Sequence, residues 1–248
     1  MKGYTWKITG YTEKGKGKEN NEDSYLFRSV ENGGKGAAVL AVADGVSSLG
    51  NGEVASGKVM GNLLNWWNTS ALDGSLTYKE KLGKLESLLE ETNRELISWG
   101  EDNGVRTGTT ASILFVWNDN YEIFHVGDSR IYRLGGRKWD RLLQLTRDQV
   151  CRIGRNRGEC VYYKNAMTDC LGYRESFRIF RTSGKIKKKD VFLVCSDGAC
   201  RKLQKEEMQN AIQVYRGHID EMVGKIGGRA RACGETDNIT MTAIQISG

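Results

Sequence analysis

Short apolar runs separated by polar or glycine-containing segments occur along most of the chain. Runs of this length, bounded by turn residues, are typical of buried strands. They predict strands over residues 24–28, 37–43, 111–117, 121–126, 130–134, 177–182, 191–195 and 239–246.

Two long amphipathic segments, 52–67 and 78–99, lie between the second and third predicted strands. The second places apolar residues near one helical face: Leu82, Leu85, Leu88, Leu89, Leu96 and Ile97. A later helix is predicted over 219–232. Strand runs interrupted by paired helices favour an α+β sandwich. No linker or repeat divides the sequence, so we expect a single catalytic domain over 1–248, with an irregular surface flap at about 148–171.

Composition narrows the functional classes. With 248 residues, 39% of them hydrophobic, the chain can bury a sizeable core, and no run approaches the roughly 18 apolar residues of a membrane span. The first residues lack the apolar run of a signal peptide, so we expect a cytoplasmic protein without a membrane partner. The net charge of +6 is spread along the sequence, and we expect no nucleic-acid partner. Six cysteines without a C-x-x-C pair and only two histidines disfavour a zinc site or a histidine cluster.

Carboxylates stand at the ends of several predicted strands. Asp44, Asp128 and Asp197 each follow an apolar run, Asp237 precedes the last strand, and the pair Glu22-Asp23 opens the first. A single Asp-Gly pair is a common turn. Several strands that all end on a carboxylate are harder to explain as turns. If the strand ends converge, their anions repel each other unless a cation lies between them. Oxygen-only ligands suit Mg²⁺ or Mn²⁺, and pairs of such ions activate water against phosphoryl groups.

Seven short motifs occur in an order that resembles the metal-dependent, type 2C protein phosphatases, in their bacterial form. They are Asn21-Glu22-Asp23-Ser24, Val42-Ala43-Asp44-Gly45-Val46, Gly108-Thr109-Thr110-Ala111, Val126-Gly127-Asp128-Ser129-Arg130, Gln144-Leu145-Thr146-Arg147-Asp148, Cys195-Ser196-Asp197-Gly198 and Asp237-Asn238-Ile239-Thr240. The resemblance implies a four-layer α-β-β-α sandwich with two central antiparallel sheets. It also implies hydrolysis of phosphoserine and phosphothreonine in proteins by a metal-activated water.

The resemblance further implies two core Mn²⁺ or Mg²⁺ ions and a weaker third ion between the sheets. Asp44 would bridge the core ions, the Gly45 carbonyl would ligate one of them, and Asp197 and Asp237 would hold the first. Glu22 would serve the second ion through water, Asp23 would hydrogen-bond to metal-bound water, and Asp128 would hold the third ion. Asn238 would orient Asp237. The expected partners are phosphoproteins, those of a cognate serine/threonine kinase, and the expected state is a monomer.

Four residues at three sites depart from the family pattern. Lys18 stands four residues before Glu22, where the family usually has a phosphate-binding Arg, and we assign it that role. The glycines at 15 and 17 predict a flexible approach for its side chain. Val46 replaces a His found in many eukaryotic members, and Gln149-Val150 replaces the His-Ser that bacterial members carry before the flap.

Two other readings compete with metal-dependent hydrolysis. Cys195 and Arg201 fit the C-x₅-R pattern of cysteine-dependent tyrosine phosphatases, although Asp197 would place an anion inside the phosphate cradle. The departures at Lys18 and in the flap would also suit a pseudophosphatase that binds phosphoproteins with little or no turnover.

Overall fold

Twelve strands form two five-stranded sheets and one hairpin in the part of the chain that this computed structural model describes, residues 4–32, 35–135, 141–157 and 160–247. The strands are β1 (Thr5–Glu13), β2 (Asp23–Asn32), β3 (Lys35–Asp44), β4 (Ala111–Trp117), β5 (Asn120–Val126), β6 (Arg130–Leu134), β7 (Leu142–Gln144), β8 (Val150–Arg157), β9 (Cys160–Met167), β10 (Phe180–Lys185), β11 (Val191–Cys195) and β12 (Ile239–Ser247). The first sheet has the order β1-β12-β11-β6-β7, the second β10-β5-β4-β3-β2, and β8 pairs with β9.

Helices cover the outer face of each sheet. They are α1 (Gly52–Trp66), continued by a π-helical turn over Trp67–Ala71, α2 (Tyr78–Asp102), α3 (Asp197–Cys200), α4 (Lys205–Val214) and α5 (Ile219–Ala232). Helix α2 begins at a capping box in which Thr77 and Glu80 satisfy each other's backbone amides. Within the described residues, no helix is long and apolar enough to cross a membrane.

Three buried clusters show how the layers stack. One joins the second sheet to α1 and α2 and includes Val39, Ala41, Leu63, Leu85 and Phe115. Another joins the first sheet to α4 and α5 and includes Leu193, Met208, Ile212, Met222 and Ile226. The third lies between the two sheets and includes Leu40, Val42, Leu114, Phe192 and Val194. Strand β3 is therefore buried on both faces, which explains its unbroken apolar run. The predicted α+β class and four-layer sandwich are confirmed.

Several elements differ from the prediction. Strand β1 and helix α4 were not predicted, because β1 lacks the continuous apolar run by which the predicted strands were found and α4 buries only Met208 and Ile212. Strand β10 begins three residues later than expected. The flap, predicted to be irregular, contains the β8–β9 hairpin. Its second strand carries β-forming Val161, Tyr162 and Tyr163, which the surrounding charges obscured. Residues 158–159 of the flap lie outside the described residues.

Candidate metal centre

The predicted site aspartates lie at strand ends contributed by both sheets. Asp23 is the first residue of β2 and Asp44 the last of β3, and the two are direct register partners. Asp128 lies between β5 and β6, where the chain passes from the second sheet to the first. Asp197 follows β11 and Asp237 precedes β12, which is paired with β11. Chain topology therefore brings together aspartates that are distant in sequence.

In two of the Asp-Gly pairs, the glycine leaves room for another backbone segment to pass close by. A Cβ on Gly198 would lie 2.1 Å from the Asn238 carbonyl oxygen, so glycine allows the start of α3 to meet the segment that carries Asp237. A Cβ on Gly45 would lie 2.6 Å from Gly52 and 2.7 Å from the Glu22 carbonyl oxygen. The bulk of any other side chain would push Asp44 away from the start of α1.

Threonines of the Gly108-Thr109-Thr110 motif hold the backbone of Asp44. The Asp44 amide donates to the Thr110 hydroxyl at 2.9 Å, and the Asp44 carbonyl accepts from the Thr110 amide at 2.9 Å and the Thr109 hydroxyl at 3.0 Å. The buried Thr110 hydroxyl also bonds to that of Ser129, 2.7 Å away. This network links the position of Asp44 to the loop that carries Asp128.

Mutual repulsion marks the aspartates as one electrostatic cluster. Burial raises the pKa of Asp44 well above its ordinary range, and four neighbouring carboxylates raise it further: those of Asp23, Asp197, Asp128 and Asp237. Burial, followed by the charges of Asp197 and Asp148, raises the pKa of Asp128 to about 6. Burial also raises the pKa of Asp23 to about 6, and the charges of Asp197 and Asp237 add to this shift. Like charges held this close favour a bound cation.

Two basic side chains, Lys18 and Arg201, contact the cluster. The Lys18 ammonium lies 2.9 Å from Asp237 Oδ1, 3.4 Å from Glu22 Oε2 and 2.7 Å from the Ser47 hydroxyl. Ser47 in turn donates to Glu22. Lys18 was predicted near this site, whereas the roles of Ser47 and Arg201 were missed. No local sequence pattern distinguishes Ser47 from an ordinary loop serine.

The residues fit a divalent cation in their chemistry. Both carboxylate oxygens of Asp23 are buried and have no hydrogen-bond partner within the described part of the chain. All the predicted side-chain donors are carboxylates, which suit hard cations. Among the described residues, no three acidic, histidine or cysteine side chains already stand at metal-ligand spacing. The nitrogen atoms of Lys18 and Arg201 contact carboxylates of this cluster.

The loop that carries Lys18 is anchored, contrary to the predicted flexibility. The Gly15 amide donates to the Asn238 side chain at 2.9 Å, and Arg231 donates to the Lys14 carbonyl at 2.9 Å. Asn238 was expected to orient Asp237; its side chain holds this loop, while its backbone amide donates to Asp237 Oδ1 at 2.9 Å. Little freedom is therefore left to lose when Lys18 binds a ligand.

The base of the flap is tied to the loop carrying Asp128. Asp148 receives three hydrogen bonds from Arg130, two from Nε at 3.0 and 3.1 Å and one from Nη2 at 2.6 Å. Gln149 accepts from the Gly127 amide at 2.7 Å and donates to the Arg178 carbonyl at 2.8 Å. The residue that departs from the family pattern thus links the flap to the cluster.

The structure disfavours Cys195 as the nucleophile of a cysteine-dependent phosphatase. Cys195 is fully buried in β11, and contact with Cys200 together with burial raises its pKa well above the ordinary range. Its thiolate is therefore disfavoured, although a nucleophilic cysteine needs it. Arg201 pairs with Asp197 at 2.6 Å and so does not form a phosphate cradle with Cys195.

Sequence comparison identifies the family. The model of the protein phosphatase 2C family matches residues 12–230, and the chain belongs to this family. It is 27% identical to the serine/threonine phosphatase stp of Listeria monocytogenes serotype 4b, over 94% of this chain and 93% of that protein. It is 24% identical to the protein phosphatase PhpP of Streptococcus pneumoniae, over 97% of each chain.

Solved structures share the fold at lower identity. The serine/threonine phosphatase Stp1 from Staphylococcus aureus superposes with a TM-score of 0.82 at 20% identity, covering 99% of this chain and 97% of that one. The catalytic domain of the serine/threonine protein phosphatase PstP, solved in complex with two manganese ions, gives 0.76 at 22% identity, covering 99% of this chain and 100% of the other. The four-layer architecture is therefore that of the family.

Proposed function

We propose that this chain hydrolyses phosphoserine and phosphothreonine in proteins with the help of divalent cations. The observation that carries this proposal is the convergence of five repelling aspartates, one of which, Asp23, has two buried oxygens with no partner among the described residues. An unpartnered buried carboxylate is costly and calls for a ligand. Family membership and the names of the relatives support the phosphoprotein substrate class.

The proposed metal ligands are mostly the aspartates of this cluster. Asp44 would bridge two Mn²⁺ or Mg²⁺ ions, with Asp197, Asp237, the Gly45 carbonyl and Glu22 completing their sites and Asp128 serving a weaker third ion. Bound ions would supply an activated water and neutralise charge on the phosphate. The manganese-bound PstP structure supports this choice of metal.

The chain itself fixes the geometry of the reaction site. Thr109 and Thr110 hold the Asp44 backbone through three hydrogen bonds, so the Asp44 carboxylate lies at a firmly held strand end. Asp23, buried beside Asp44, would accept a hydrogen bond from a water molecule held between the sheets and so orient it. Rigid placement of reacting groups accounts for a large part of an enzyme's rate enhancement.

Lys18 is the proposed phosphate-binding cation. Its ammonium lies on the rim of the cluster, with 28% of the side chain exposed, and it already contacts Glu22 and Asp237. A phosphate bound beside these carboxylates would lie within its reach. A Lys offers one compact charge where an Arg would grip two oxygens, so we expect weak substrate binding and a high KM.

The proposal also covers the substrates, the oligomeric state and the cellular location of the protein. We propose phosphoproteins modified by a cognate serine/threonine kinase as substrates, no nucleic-acid or membrane partner, and a monomeric cytoplasmic enzyme. The bacterial relatives named as protein phosphatases support the substrate class.

The decisive experiment measures release of phosphate from a phosphothreonine peptide. We expect turnover with Mn²⁺, none with EDTA, and no loss after alkylation of thiols. Asp44→Asn should abolish turnover, while Asp119→Asn, in the exposed turn between β4 and β5, should not. Turnover that survives EDTA and disappears on alkylation would replace this proposal with cysteine chemistry. Binding of the peptide without turnover would indicate the pseudophosphatase instead.

A further inference from the structure

Arg201, the arginine of the C-x₅-R pattern, has no role in the proposed function. Its side chain contacts two of the carboxylates that we propose bind metal. The Arg201 guanidinium contacts Asp197 Oδ2 at 2.6 Å, Glu235 Oε1 at 2.7 Å and Asp237 Oδ2 at 3.4 Å. Asp197 and Asp237 are proposed metal ligands, whereas Glu235 is not. The Arg201 guanidinium therefore contacts both proposed metal-ligand aspartates and a neighbouring glutamate.

Glu235 anchors Arg201 at this position. Its side chain is only 1% exposed, compared with 43% for Arg201. The same Oε1 atom also accepts from the backbone amides of Thr236 and Asp237, at 2.9 and 3.0 Å. A second contact joins Arg201 Nε to Glu235 Oε2 at 3.3 Å. The guanidinium is thus held by a buried, backbone-fixed carboxylate, unlike an arginine that folds onto the nearest surface anion.

We propose that Arg201 is a built-in competitor of the divalent cation. In the metal-free protein it neutralises Asp197 and Asp237, and a metal ion must displace it to use their oxygens, because two positive groups on the same carboxylates repel. Lys18 adds to this on Asp237, where it contacts the other oxygen, Oδ1. The protein would consequently load its site only at higher metal concentrations, while its metal-free form stays folded. This inference rests on the proposed metal-dependent function.

The test measures Mn²⁺ binding by calorimetry on the full chain. Arg201→Gln should tighten binding about fivefold, or about 1 kcal/mol, the order expected for a half-exposed ion pair. Arg201→Lys keeps the charge but loses the planar fork, so its affinity should lie between those of the other two proteins. Arg229→Gln is the matched control, since Arg229 pairs with Glu207 at 2.6 Å on the surface away from the cluster, and its Mn²⁺ affinity should equal that of the wild type.

A second variant tests the same competition without replacing Arg201. Glu235→Gln retains an oxygen for the two backbone amides but weakens the hold on Arg201, so it should tighten Mn²⁺ binding by a smaller factor. Melting temperatures in EDTA check that each variant is folded, and that of Arg201→Gln should fall because carboxylate repulsion is uncovered.

The outcomes separate two kinds of failure. Equal or weaker Mn²⁺ binding by both Arg201→Gln and Glu235→Gln would overturn the competition, and weaker binding would show that Arg201 positions the carboxylates. A wild-type protein that gives no Mn²⁺ binding heat would overturn the metal-dependent function itself, and this inference with it. Tighter binding by Arg201→Gln, together with an unchanged Arg229→Gln control, supports the proposal.

Discussion

Replacing Asp23 by Asn should stabilise the metal-free protein while removing the carboxylate that we propose orients a water molecule. Burial raises the pKa of Asp23 from 3.8 to about 6, and at 1.36 kcal/mol per pKa unit this corresponds to roughly 3 kcal/mol of penalty for the ionised form at neutral pH. The amide of Asn carries no charge, but an unpaired buried amide costs about 1 to 2 kcal/mol. The net gain should be about 1.5 kcal/mol, or a rise of roughly 4 °C in Tm for a domain of this size.

The pH dependence of this gain is a sharper test. A carboxyl group with a raised pKa in the folded state binds its proton more tightly there than in the unfolded chain, so stability falls as pH rises from about 4 to above 6. The penalty on wild-type Asp23 should therefore be complete at pH 7.5 and about half as large at pH 5. The variant should melt above the wild type at pH 7.5 and close to it at pH 5.

Thermal melts in EDTA at the two pH values provide the measurement, with Asp119→Asn as a control. Asp119 is exposed, so its substitution should leave Tm nearly unchanged at both values. Added Mn²⁺ should raise the Tm of the wild type, because a ligand that binds only the folded state stabilises it. A variant that melts below the wild type at pH 7.5, or that shows the same difference at both pH values, would refute the argument.

Three further substitutions test other parts of the site. Asp128→Ala should slow turnover while calorimetry still shows the tight Mn²⁺ event, and loss of that event would mean that Asp128 belongs to the core pair. Thr110→Val should lower the unfolding free energy by about 1 to 3 kcal/mol and reduce turnover, because the Asp44 amide loses its acceptor; equal denaturant midpoints would contradict this. Lys18→Ala should raise KM with a smaller change in kcat, whereas Lys16→Ala, at an exposed position in the same loop, should change neither; equal effects would indicate diffuse electrostatics only.

The inner strands were predictable because each is buried on both faces. Such a strand must be apolar in its interior, so a carboxylate at its end stands out, as Asp44 does at the end of β3 and Asp197 just after β11. The β1 strand offers no such contrast, since it lies at a sheet edge and only Thr9 within it is buried. Sequence therefore indicated the acids of the carboxylate cluster while missing part of the sheet beside them.

The contacts that hold the basic residues of the site could not be predicted from sequence. Arg201 and Glu235 are 34 residues apart, and each resembles an ordinary surface charge until the fold brings the two together. The Lys18 loop looked flexible because it is rich in glycine and lysine, yet hydrogen bonds to Asn238 and Arg231 hold it. Both cases depend on long-range contacts that no local pattern encodes.

The bond between Gly15 and Asn238 has a consequence for how the protein is made. It joins positions 223 residues apart, and β1 pairs along its whole length with β12, from Thr5 opposite Ser247 to Glu13 opposite Ile239. A nascent chain emerging from the ribosome therefore lacks the partner of its first strand until synthesis of this region is almost finished. Contacts of such long sequence separation slow folding, so assembly of the carboxylate cluster should be among the last events. A truncated translation product ending before residue 237 would carry most of the fold's residues and no complete cluster.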